Sequence, residues 1–494
     1  MKDKVNSFYD IKDLILELEK TFPVNEWEIN GIHVWPKIRF KLYIRLCQHI
    51  LKPGQKTSTK PFQKTVNENY STKGIQWWKD FKELVLLNKQ IRNNKLIFFG
   101  HSMHRIINNS LYFNRFFDSM IAHHNLQSNS ITFDFDKLLL PVYNRKKTID
   151  LTAAVRHYRR VQVLKNKIFK YRFEKSTPSL SLYNDFFEFC KNQAWFTKEM
   201  GLDLKSITNW TRKVSSDIPF YKKCFIKAKA QKIIFVSYYG FDSTAAAMVA
   251  ANYLGIETVE FQHGPQSNLH MAYSFWTKVP NKGFNTMPLT YWVWDQYTAR
   301  NFDLWIKSPN RAIVVNQPWL GYSLKETSLS ISNDLTTPAK VLYTLQLLSL
   351  SPLEEIFPDS LLHAMKFGNY HFILRFHPRN SDDKEIYINF LNHSKVDSSK
   401  YSFQDPKIES LSIAMTKASI HITLWSGSLI EATLLNIPTI IFHKVGLMHY
   451  QNYLNDDLVH YVDPMSNEFI LKLDLLLSRN NKINFNQPIY NPLT

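Results

Sequence analysis

The chain has 494 residues, of which 44% are hydrophobic and 14% aromatic, and this length exceeds what a single hydrophobic core usually supports. The formal net charge of +19 predicts a surface that attracts anions, such as nucleotides, phosphorylated lipids or nucleic acid, without choosing among them. Three widely separated cysteines argue against a disulfide framework or a cysteine zinc site, and no run of about 18 uncharged apolar residues suggests a membrane span.

The first 90 residues are predicted to form a helical extension. Apolar residues recur every three or four positions in residues 11–22, again in 38–51 and again in 77–91, as on the buried face of an amphipathic helix. The polar stretch 52–73 is rich in serine and threonine and is predicted to be a loop.

Residues 91–324 are predicted to form a parallel α/β domain with a helical insertion. A strand at 95–99 is followed by a mainly helical stretch, 111–225, and then by a strand at 232–237, a helix at 243–253 and a strand at 256–261. Further strands are predicted at 291–294 and 312–315. The alternation of strand, helix and strand is the unit of a doubly wound parallel sheet.

A polar linker, residues 325–339, is predicted to precede a second α/β domain, residues 340–494. Its strands are predicted at 340–344, 370–376, 420–424 and 439–442, and its helices at 353–366, 409–417 and 429–435. The predicted fold is therefore α/β, with two Rossmann-like doubly wound domains and an N-terminal helical extension.

Candidate donor-binding residues follow strands of the second domain, because open parallel sheets bind ligands at the carboxyl ends of their strands. Ser426, Gly427 and Ser428 form a small-residue turn at the start of a helix, where amides and hydroxyls favour a phosphate. Glu431, one turn further, suits the hydroxyls of a ribose. The alternative for this turn is an ordinary serine helix cap.

A second group of donor-binding candidates surrounds a His-Pro pair. His377 leaves its strand in a direction restricted by Pro378, so its imidazole can donate to a phosphate oxygen. Arg375 and Arg379 add positive charge, and Gln346 follows the strand at 340–344. The alternative for His377 is a surface histidine in a turn.

His263 is the first candidate for a general base, because it follows a strand and its imidazole can titrate near neutral pH. Two carboxylates near strand ends, Glu260 and Asp242, are rival bases. Asp242 is equally suited to cap the helix after it. A structural histidine under the following loop is the alternative for His263.

Candidate acceptor-binding residues are also polar groups after strands of the first domain. His101, His104 and Arg105 follow the strand at 95–99, and His270 lies in the loop after His263. A solvated polar turn explains the first three equally well.

Motifs of several other enzyme classes are missing from the sequence. There is no GxxxxGK[ST] loop, no GxGxxG after a strand, no GxSxG turn and no HExxH pair. A Walker-type nucleotide hydrolase, a dinucleotide oxidoreductase, an α/β-hydrolase and a zinc protease are therefore disfavoured.

The order of the short motifs resembles a known family. The segment QHG at 262–264, the His-Pro pair at 377–378, and SGS at 426–428 followed by Glu431 and Pro438 look like the GT-B glycosyltransferases of bacterial surface polysaccharides. The nearest patterns are those of the capsule-polysaccharide transferases, the sialyl- and polysialyltransferases and the CDP-glycerol glycerophosphotransferases. The resemblance extends over residues 232–442, and it rests on the order in which these motifs follow strand ends.

This resemblance implies two Rossmann-like domains facing a cleft, with the acceptor mainly on the N-terminal side and the nucleotide-activated donor on the C-terminal side. It implies that His377, Ser426 and Ser428 bind the donor phosphate. No metal is implied, because histidine, serine and a helix dipole neutralise the leaving phosphate in this family.

The resemblance leaves the base open between His263, Glu260 and Asp242. The sialyltransferases use an acidic residue before a glycine, and no such acidic motif is evident here. In the glycerophosphotransferases a histidine before a glycine resembles His263.

The predicted function is an inverting, metal-independent glycosyltransferase that moves a sugar from a nucleotide-activated donor to a growing surface polysaccharide, such as capsule, O-antigen or lipopolysaccharide. A glycerol- or ribitol-phosphate transferase with a CDP donor is the close alternative. A non-catalytic basic protein that binds nucleic acid is the alternative of another class, but the sequence has no recognition module for it. We expect no cofactor, no nucleic-acid partner, a glycan or lipid-linked glycan acceptor, and a cytoplasmic location with at most peripheral contact with the inner membrane.

Overall fold

The computed structural model describes residues 5–51, 70–135, 138–169, 180–240, 242–306, 311–326, 338–348, 350–377, 384–406, 408–454, 456–466, 468–479 and 491–493. The chain forms two compact units. Unit 1 comprises Met1–Val293, Ala299–Val314 and Asn491–Thr494, and unit 2 comprises Trp294–Thr298 and Val315–Tyr490. The linker predicted at 325–339 is too long at both ends, because Lys325 and Glu326 belong to a helix and Ala339 begins a strand; residues 327–337 lie outside the described residues.

The N-terminal region of unit 1 is mainly helical, as its apolar periodicity predicts. Its elements are α1 (Phe8–Thr21), the antiparallel hairpin β1 (Glu28–Ile29) and β2 (Ile32–His33), α2 (Trp35–Leu51) and α3 (Tyr70–Gln90). Ser7 and Asp10 form a capping box at the start of α1. The loop predicted at 52–73 falls mostly outside the described residues, and its last residues belong to α3.

Unit 1 contains a seven-stranded sheet in the order β11-β10-β9-β8-β3-β6-β7, and every neighbouring pair is parallel. A separate hairpin is formed by β4 and β5. The strands are β3 (Leu96–His101), β4 (Arg105–Asn108), β5 (Leu111–Asn114), β6 (Ser130–Phe135), β7 (Thr148–Asp150), β8 (Lys232–Phe235), β9 (Glu257–Phe261), β10 (Thr290–Val293) and β11 (Arg311–Val314).

The helices between β5 and β12 are α4 (Phe117–His123), α5 (Leu151–Phe169), α6 (Tyr183–Lys191), α7 (Leu204–Ala228), α8 (Asp242–Tyr253), α9 (Gln296–Asp303) and α10 (Pro318–Glu326). The prediction that 111–225 is mainly helical is wrong for β5, β6 and β7. The segment SITFDF of β6 alternates polar and apolar residues, yet all six are buried. Two of its polar side chains are hydrogen-bonded inside the fold, because the hydroxyl of Ser130 donates to the carbonyl of Leu126 at 2.8 Å and Asp134 accepts from Nε of Arg105 at 2.6 Å.

Unit 2 contains a six-stranded sheet in the order β14-β13-β12-β15-β16-β17, again with all neighbours parallel. The strands are β12 (Ala339–Thr344), β13 (Tyr370–Arg375), β14 (Tyr401–Gln404), β15 (Ile420–Thr423), β16 (Thr439–Ile441) and β17 (Val459–Tyr461). The helices are α11 (Leu353–Ile356), α12 (Asp359–Phe367), α13 (Lys384–His393), α14 (Leu411–Thr416), α15 (Ser428–Leu434), α16 (Lys444–His449) and α17 (Glu468–Ser478). The single helix predicted at 353–366 is two helices, because Pro358 lies between α11 and α12.

The two sheets have the same topology. In each sheet the first strand lies inside, with the second and third strands in turn on one side of it. The fourth and later strands follow in turn on its other side. This is the strand order of a doubly wound Rossmann-like sheet, so the predicted fold of two such domains is confirmed. Among the described residues, no helix combines the length and apolarity needed to cross a bilayer.

Candidate functional sites

The most informative place in each sheet is the point where the strand order reverses. This point lies between β3 and β8 in unit 1 and between β12 and β15 in unit 2. Doubly wound sheets bind ligands outside the carboxyl ends of these strands. His101 and Ser237 lie there in unit 1, and Gln346 and Ser426 lie there in unit 2.

In unit 1, Glu260 of β9 is fully buried and accepts three hydrogen bonds. Its Oε1 accepts from the backbone N–H of Ser237 at 2.9 Å and from the hydroxyl of Tyr273 at 2.8 Å. Its Oε2 accepts from the backbone N–H of Tyr238 at 3.0 Å. Burial raises the pKa of Glu260 to about 8, although these three donors act in the opposite direction. The carboxyl group therefore links the ends of β8 and β9 to the following loop.

His263 lies beside this carboxyl group. Its Nε2 is 2.9 Å from Oγ of Ser237, and its Nδ1 is 3.8 Å from Oε1 of Glu260. The second distance is too long for a hydrogen bond, and Nδ1 has no hydrogen-bond partner among the described residues. Burial, reinforced by the charge of Arg115, lowers the pKa of His263 to about 4. The imidazole is therefore neutral at neutral pH, which is the form that accepts a proton, but it does not titrate near neutral pH as the sequence predicts and is a weaker base than an ordinary histidine.

Ser237 completes a row of hydroxyl, imidazole and carboxyl groups. It has a φ of +60°, in the left-handed region that serine rarely adopts, and its carbonyl accepts from the N–H of Gly240 at 2.8 Å. The order of groups is that of a serine–histidine–carboxylate triad. Sequence reasoning missed Ser237, whose only signal was its position at the end of a predicted strand.

Asp242 begins α8 and is held by two lysines. Its carboxylate oxygens lie 2.7 Å from Nζ of Lys213 and 3.4 Å from Nζ of Lys37. Burial alone would raise the pKa of Asp242, but the two ammonium groups lower it below its usual value. Each of its two carboxylate oxygens is already bound by a lysine ammonium group, so the geometry disfavours Asp242 as the base.

His101 and His104 lie near His263, as their positions at the end of β3 predict. The ring centre of His104 is 6.2 Å from that of His263 and 6.0 Å from that of His101. Burial lowers the pKa of His104 well below its usual value. Nδ1 of His101 accepts a hydrogen bond from the backbone N–H of Met103 at 3.0 Å. Whether these rings contact an acceptor stays a prediction.

Arg105 donates hydrogen bonds to other groups of unit 1. Its Nε donates to Asp134 at 2.6 Å, and its Nη1 donates to Asp118 at 3.3 Å and to the carbonyl of Tyr112 at 3.1 Å. The side chain is buried together with both carboxylates. This arrangement supports a structural role for Arg105 rather than the predicted acceptor contact.

His270 lies among aromatic rings of the N-terminal region and the loop after β9. Its ring centre is 4.8 Å from that of Tyr43 in α2 and 4.8 Å from that of Tyr273. The ring of Tyr239 is 6.0 Å away. His270 is therefore fixed close to the residues that surround Glu260, and its predicted contact with an acceptor stays a prediction.

The N-terminal helices hold this loop through a buried ion pair. Nε of Arg39 lies 2.8 Å from Oε1 of Glu19, and both side chains are fully buried. Arg39 also donates to the carbonyls of Ser274 and Phe275 at 2.9 and 3.0 Å, and Glu19 accepts from the N–H of Thr277 at 2.9 Å. The helical extension therefore positions the segment that follows His263.

In unit 2, Ser428 takes part in a buried polar cluster. Its Oγ is 2.9 Å from Oγ1 of Thr344 and 3.1 Å from Nε2 of His421, and Thr344 is 3.0 Å from the same nitrogen. Burial lowers the pKa of His421 to about 3, so this ring is neutral. Ser428 therefore joins β12, β15 and α15, a role that the sequence did not indicate.

The rest of the predicted turn is more accessible than Ser428. Ser426 and Gly427 are half-buried, and Oγ of Ser426 accepts from the N–H of Ser428 at 3.3 Å. Glu431 accepts a hydrogen bond from Nε2 of Gln317 at 3.2 Å.

Arg375, at the end of β13, is buried but remains a cation. Its Nη1 donates to Oε1 of Gln404 at 2.6 Å, and its Nη2 donates to the carbonyl of Glu409 at 2.9 Å. Burial lowers its pKa to about 10, while the carboxylates of Glu431 and Glu409 oppose the shift.

The remaining donor-binding candidates lie at other strand ends of unit 2. Gln346 is buried, and its carbonyl accepts from the hydroxyl of Tyr387 at 3.3 Å. His377 is half-buried at the end of β13. Pro378 and Arg379 lie outside the described residues. Within the described chain, no group of three or more His, Cys, Asp or Glu residues is arranged to hold a metal ion.

No protein-family model and no curated protein matches this chain. The solved structures similar to it include the UDP-GlcNAc 2-epimerase of Methanocaldococcus jannaschii in complex with UDP-GlcNAc and UDP, with 14% identity and a TM-score of 0.43 over 80% of this chain and 96% of that one. The UDP-GlcNAc 2-epimerase of Neisseria meningitidis bound to UDP-GlcNAc has 15% identity and a TM-score of 0.44 over 78% and 91%. The wall teichoic acid polymerase TagF has 11% identity and a TM-score of 0.38 over 84% and 91%. Likenesses at this level do not bear on the reaction or on any site residue.

Proposed function

We propose that the chain is a glycosyltransferase that moves a sugar from a nucleotide-activated donor to a growing cell-surface glycan, with inversion and without a metal. The observation that carries this proposal is the neutral imidazole of His263, which lies between the hydroxyl of Ser237 and the buried carboxyl of Glu260. A neutral base at the carboxyl end of a doubly wound sheet suits the deprotonation of an acceptor hydroxyl.

His263 acts as the base in this proposal, through Nε2. The acceptor hydroxyl approaches Nε2 beside Oγ of Ser237 and gives up its proton, while its oxygen attacks the anomeric carbon of the donor. The bond between that carbon and the donor phosphate breaks, and the nucleotide leaves with the electron pair. Attack from the side opposite the phosphate inverts the anomeric configuration.

Glu260 and Ser237 orient and stabilise the base. Nδ1 lies 3.8 Å from the carboxyl of Glu260, so we assign the proton of the neutral ring to Nδ1. Nε2 is then the acceptor in its contact with the hydroxyl of Ser237. When the ring takes the second proton, an ionised Glu260 stabilises the imidazolium through charge attraction.

Unit 2 binds the nucleotide-activated donor in this proposal. Support comes from the cation of Arg375, the half-buried imidazole of His377 and the half-buried turn at Ser426 and Gly427, all of which follow strands of one parallel sheet. In this proposal Glu431 accepts hydrogen bonds from the ribose hydroxyls. When Arg375, His377 and the turn at Ser426 and Gly427 bind the phosphate, they neutralise the leaving group without a divalent ion.

A transferase of glycerol or ribitol phosphate from a CDP donor is the second candidate. It is favoured by one observation, which is that the base is a histidine before a glycine, as in the glycerophosphotransferases that the sequence resembles. Product analysis separates the two reactions, because polyol-phosphate transfer places the phosphorus on the acceptor and releases CMP. Sugar transfer leaves all phosphorus on the nucleotide.

A screen for thermal stabilisation by nucleotides and nucleotide sugars tests the proposed function. A ligand at about 100 times its dissociation constant adds about 2.7 kcal/mol to the free energy of unfolding. We expect stabilisation by one nucleotide class and turnover that His263→Ala abolishes. Normal turnover by His263→Ala would exclude His263 as the base. Tight binding of nucleic acid at physiological salt, with no nucleotide effect, would instead favour the non-catalytic alternative.

A further inference from the structure

The outer side of helices α3 and α5 carries an exposed apolar patch. On α3, Ile75 is 60% exposed, Trp77 47% and Trp78 51%, and on α5 Val163 is 53% exposed and Leu164 60%. Across the described ranges, Trp77 and Trp78 are the only tryptophans exposed to this degree. We refer to these five residues as the tryptophan face. Neighbouring exposed apolar side chains of this size mark interaction surfaces.

The two helices run antiparallel, which brings both halves of the tryptophan face to the same end. Arg160 of α5 donates to Asp80 of α3 at 2.9 Å. Further along α3, Glu83 accepts from the backbone N–H of Asp150, just before α5 begins. Residue numbers therefore rise along α3 as they fall along α5, and the early turns of α3 lie beside the later turns of α5.

The aromatic rings of α3 lie nearly parallel to one another. The planes of Trp77 and Trp78 differ by 18° with ring centres 6.3 Å apart, and those of Trp78 and Phe81 differ by 22° at 5.5 Å. Tryptophan combines a large apolar ring with one polar N–H, and for that reason it is enriched where a membrane meets water.

The charges around the tryptophan face are positive. Lys79 and Lys82 are exposed on α3 beside the tryptophans, whereas the only two acidic residues of α3 and α5, Asp80 and Glu83, point inward. Asp80 is fully buried and paired with arginines of α5, and Glu83 is bound by Arg145. No acidic side chain of these two helices therefore opposes the approach of an anionic surface. The basic run that begins on α5 continues to residue 175, beyond the described part of this helix.

We propose that the tryptophan face binds the surface of an anionic lipid bilayer. Such a bilayer offers negative headgroups for the lysines and, directly beneath them, a hydrocarbon layer for the indole and aliphatic side chains. A nucleic acid offers the negative charge without a hydrocarbon layer, so it leaves the apolar side chains of the tryptophan face without a partner. The inference does not rest on the proposed function, since it concerns a surface built from other residues.

Co-sedimentation of the full chain with lipid vesicles tests this inference. The vesicles are made of phosphatidylcholine mixed with phosphatidylglycerol, and of phosphatidylcholine alone. We expect binding to the mixed vesicles that salt weakens. The double variant W77A/W78A should bind at least about tenfold less well, because each change removes on the order of 100 Å² of apolar surface.

Two further variants make the result specific. K79E/K82E keeps the tryptophans and should lose binding to the mixed vesicles through charge alone. L471A/L475A, which shortens two exposed leucines of α17 that are 72% and 48% exposed, is the matched control and should bind like the wild type. Circular dichroism melts verify that each variant is folded.

Several outcomes would overturn the inference. A wild-type chain that does not sediment with the mixed vesicles, or a folded W77A/W78A that binds them as the wild type does, contradicts it. A wild-type dimer that W77A/W78A converts to a monomer, without lipid binding by either, would assign the tryptophan face to a second copy of the chain instead.

Discussion

The variant Glu260→Gln removes the charge beside His263 and keeps the shape of the side chain. The carboxyl oxygen lies 3.8 Å from Nδ1 of the ring, so at an effective dielectric constant of about 20 an ionised carboxylate attracts the imidazolium by about 4 kcal/mol. Losing that attraction when the ring takes the acceptor proton should lower kcat by up to about 10³-fold. In the proposal the donor residues belong to unit 2 and Glu260 belongs to unit 1, so the KM for the donor should change little.

The pH dependence of the wild-type enzyme gives a second readout of the same role. Burial raises the pKa of Glu260 to about 8 and lowers that of His263 to about 4. The ring is therefore already neutral across the neutral range, and the group that ionises there is the carboxyl. Activity should rise as the pH increases, because the carboxylate fraction grows, and should level off above a pH of about 8. Glutamine does not titrate, so E260Q should lose this rise.

The assay measures initial rates of nucleotide release across this pH range, with a donor identified by thermal stabilisation. Asp242→Asn is the matched control, because Asp242 is another carboxylate that follows a strand of unit 1 but is paired with lysines. An E260Q variant that is folded and keeps wild-type kcat, or that keeps the rise with pH, would refute the role assigned to Glu260.

Four other substitutions test single contacts. Ser237→Gly suits the φ of +60° and removes the CH2OH side chain, so it should lower kcat by about tenfold without loss of thermal stability; unchanged kinetics would show that the hydroxyl does not orient the ring. Asp242→Asn should change kcat less than about threefold, and a loss as large as that of E260Q would restore Asp242 as a base. Arg105→Met leaves two buried carboxylates without their cation and should cost about 3–5 kcal/mol in denaturant unfolding; a stable variant with weakened acceptor binding would support the acceptor role instead. His421→Gln should flatten the pH dependence of stability between about pH 6.5 and pH 3, because the buried ring has a pKa of about 3 and the unfolded chain takes up this proton at a higher pH. As the pH falls, the wild type should lose up to about 1.4 kcal/mol of unfolding free energy per pH unit from this group. An equal slope in the variant would contradict the assignment.

The main strands could be predicted because each is a local apolar run bounded by turn residues. The strand predicted at 95–99 is β3, and that predicted at 340–344 is β12, with small differences at the ends. By contrast, β6 was not predicted, because Ser130, Thr132 and Asp134 interrupt its apolar pattern. Asp134, for example, is buried while Arg105, 29 residues away, binds its carboxylate, and no local pattern reports such a partner.

The candidate site could be predicted in part from the same local logic. Reading the residues at and after strand ends selected His263, Glu260 and Asp242, but no local pattern could show which of them meet. The structure shows His263 beside Glu260 and Ser237. It also shows Asp242 bound to Lys37, which is 205 residues away in the chain.

The amino-acid sequence by itself determined the two doubly wound sheets, the helical N-terminal region and the set of polar residues after strands, because periodicity and turn chemistry act over a few neighbouring residues. The tertiary structure alone decided which of those residues meet and in what protonation state. It brought the hydroxyl of Ser237 to a histidine 26 residues away, gave Asp242 its lysines and buried Ser428 with His421. The physical reason is that hydrogen bonds and pKa shifts depend on the distances between atoms of residues far apart in the sequence and on the removal of those atoms from water. A local sequence pattern contains neither quantity.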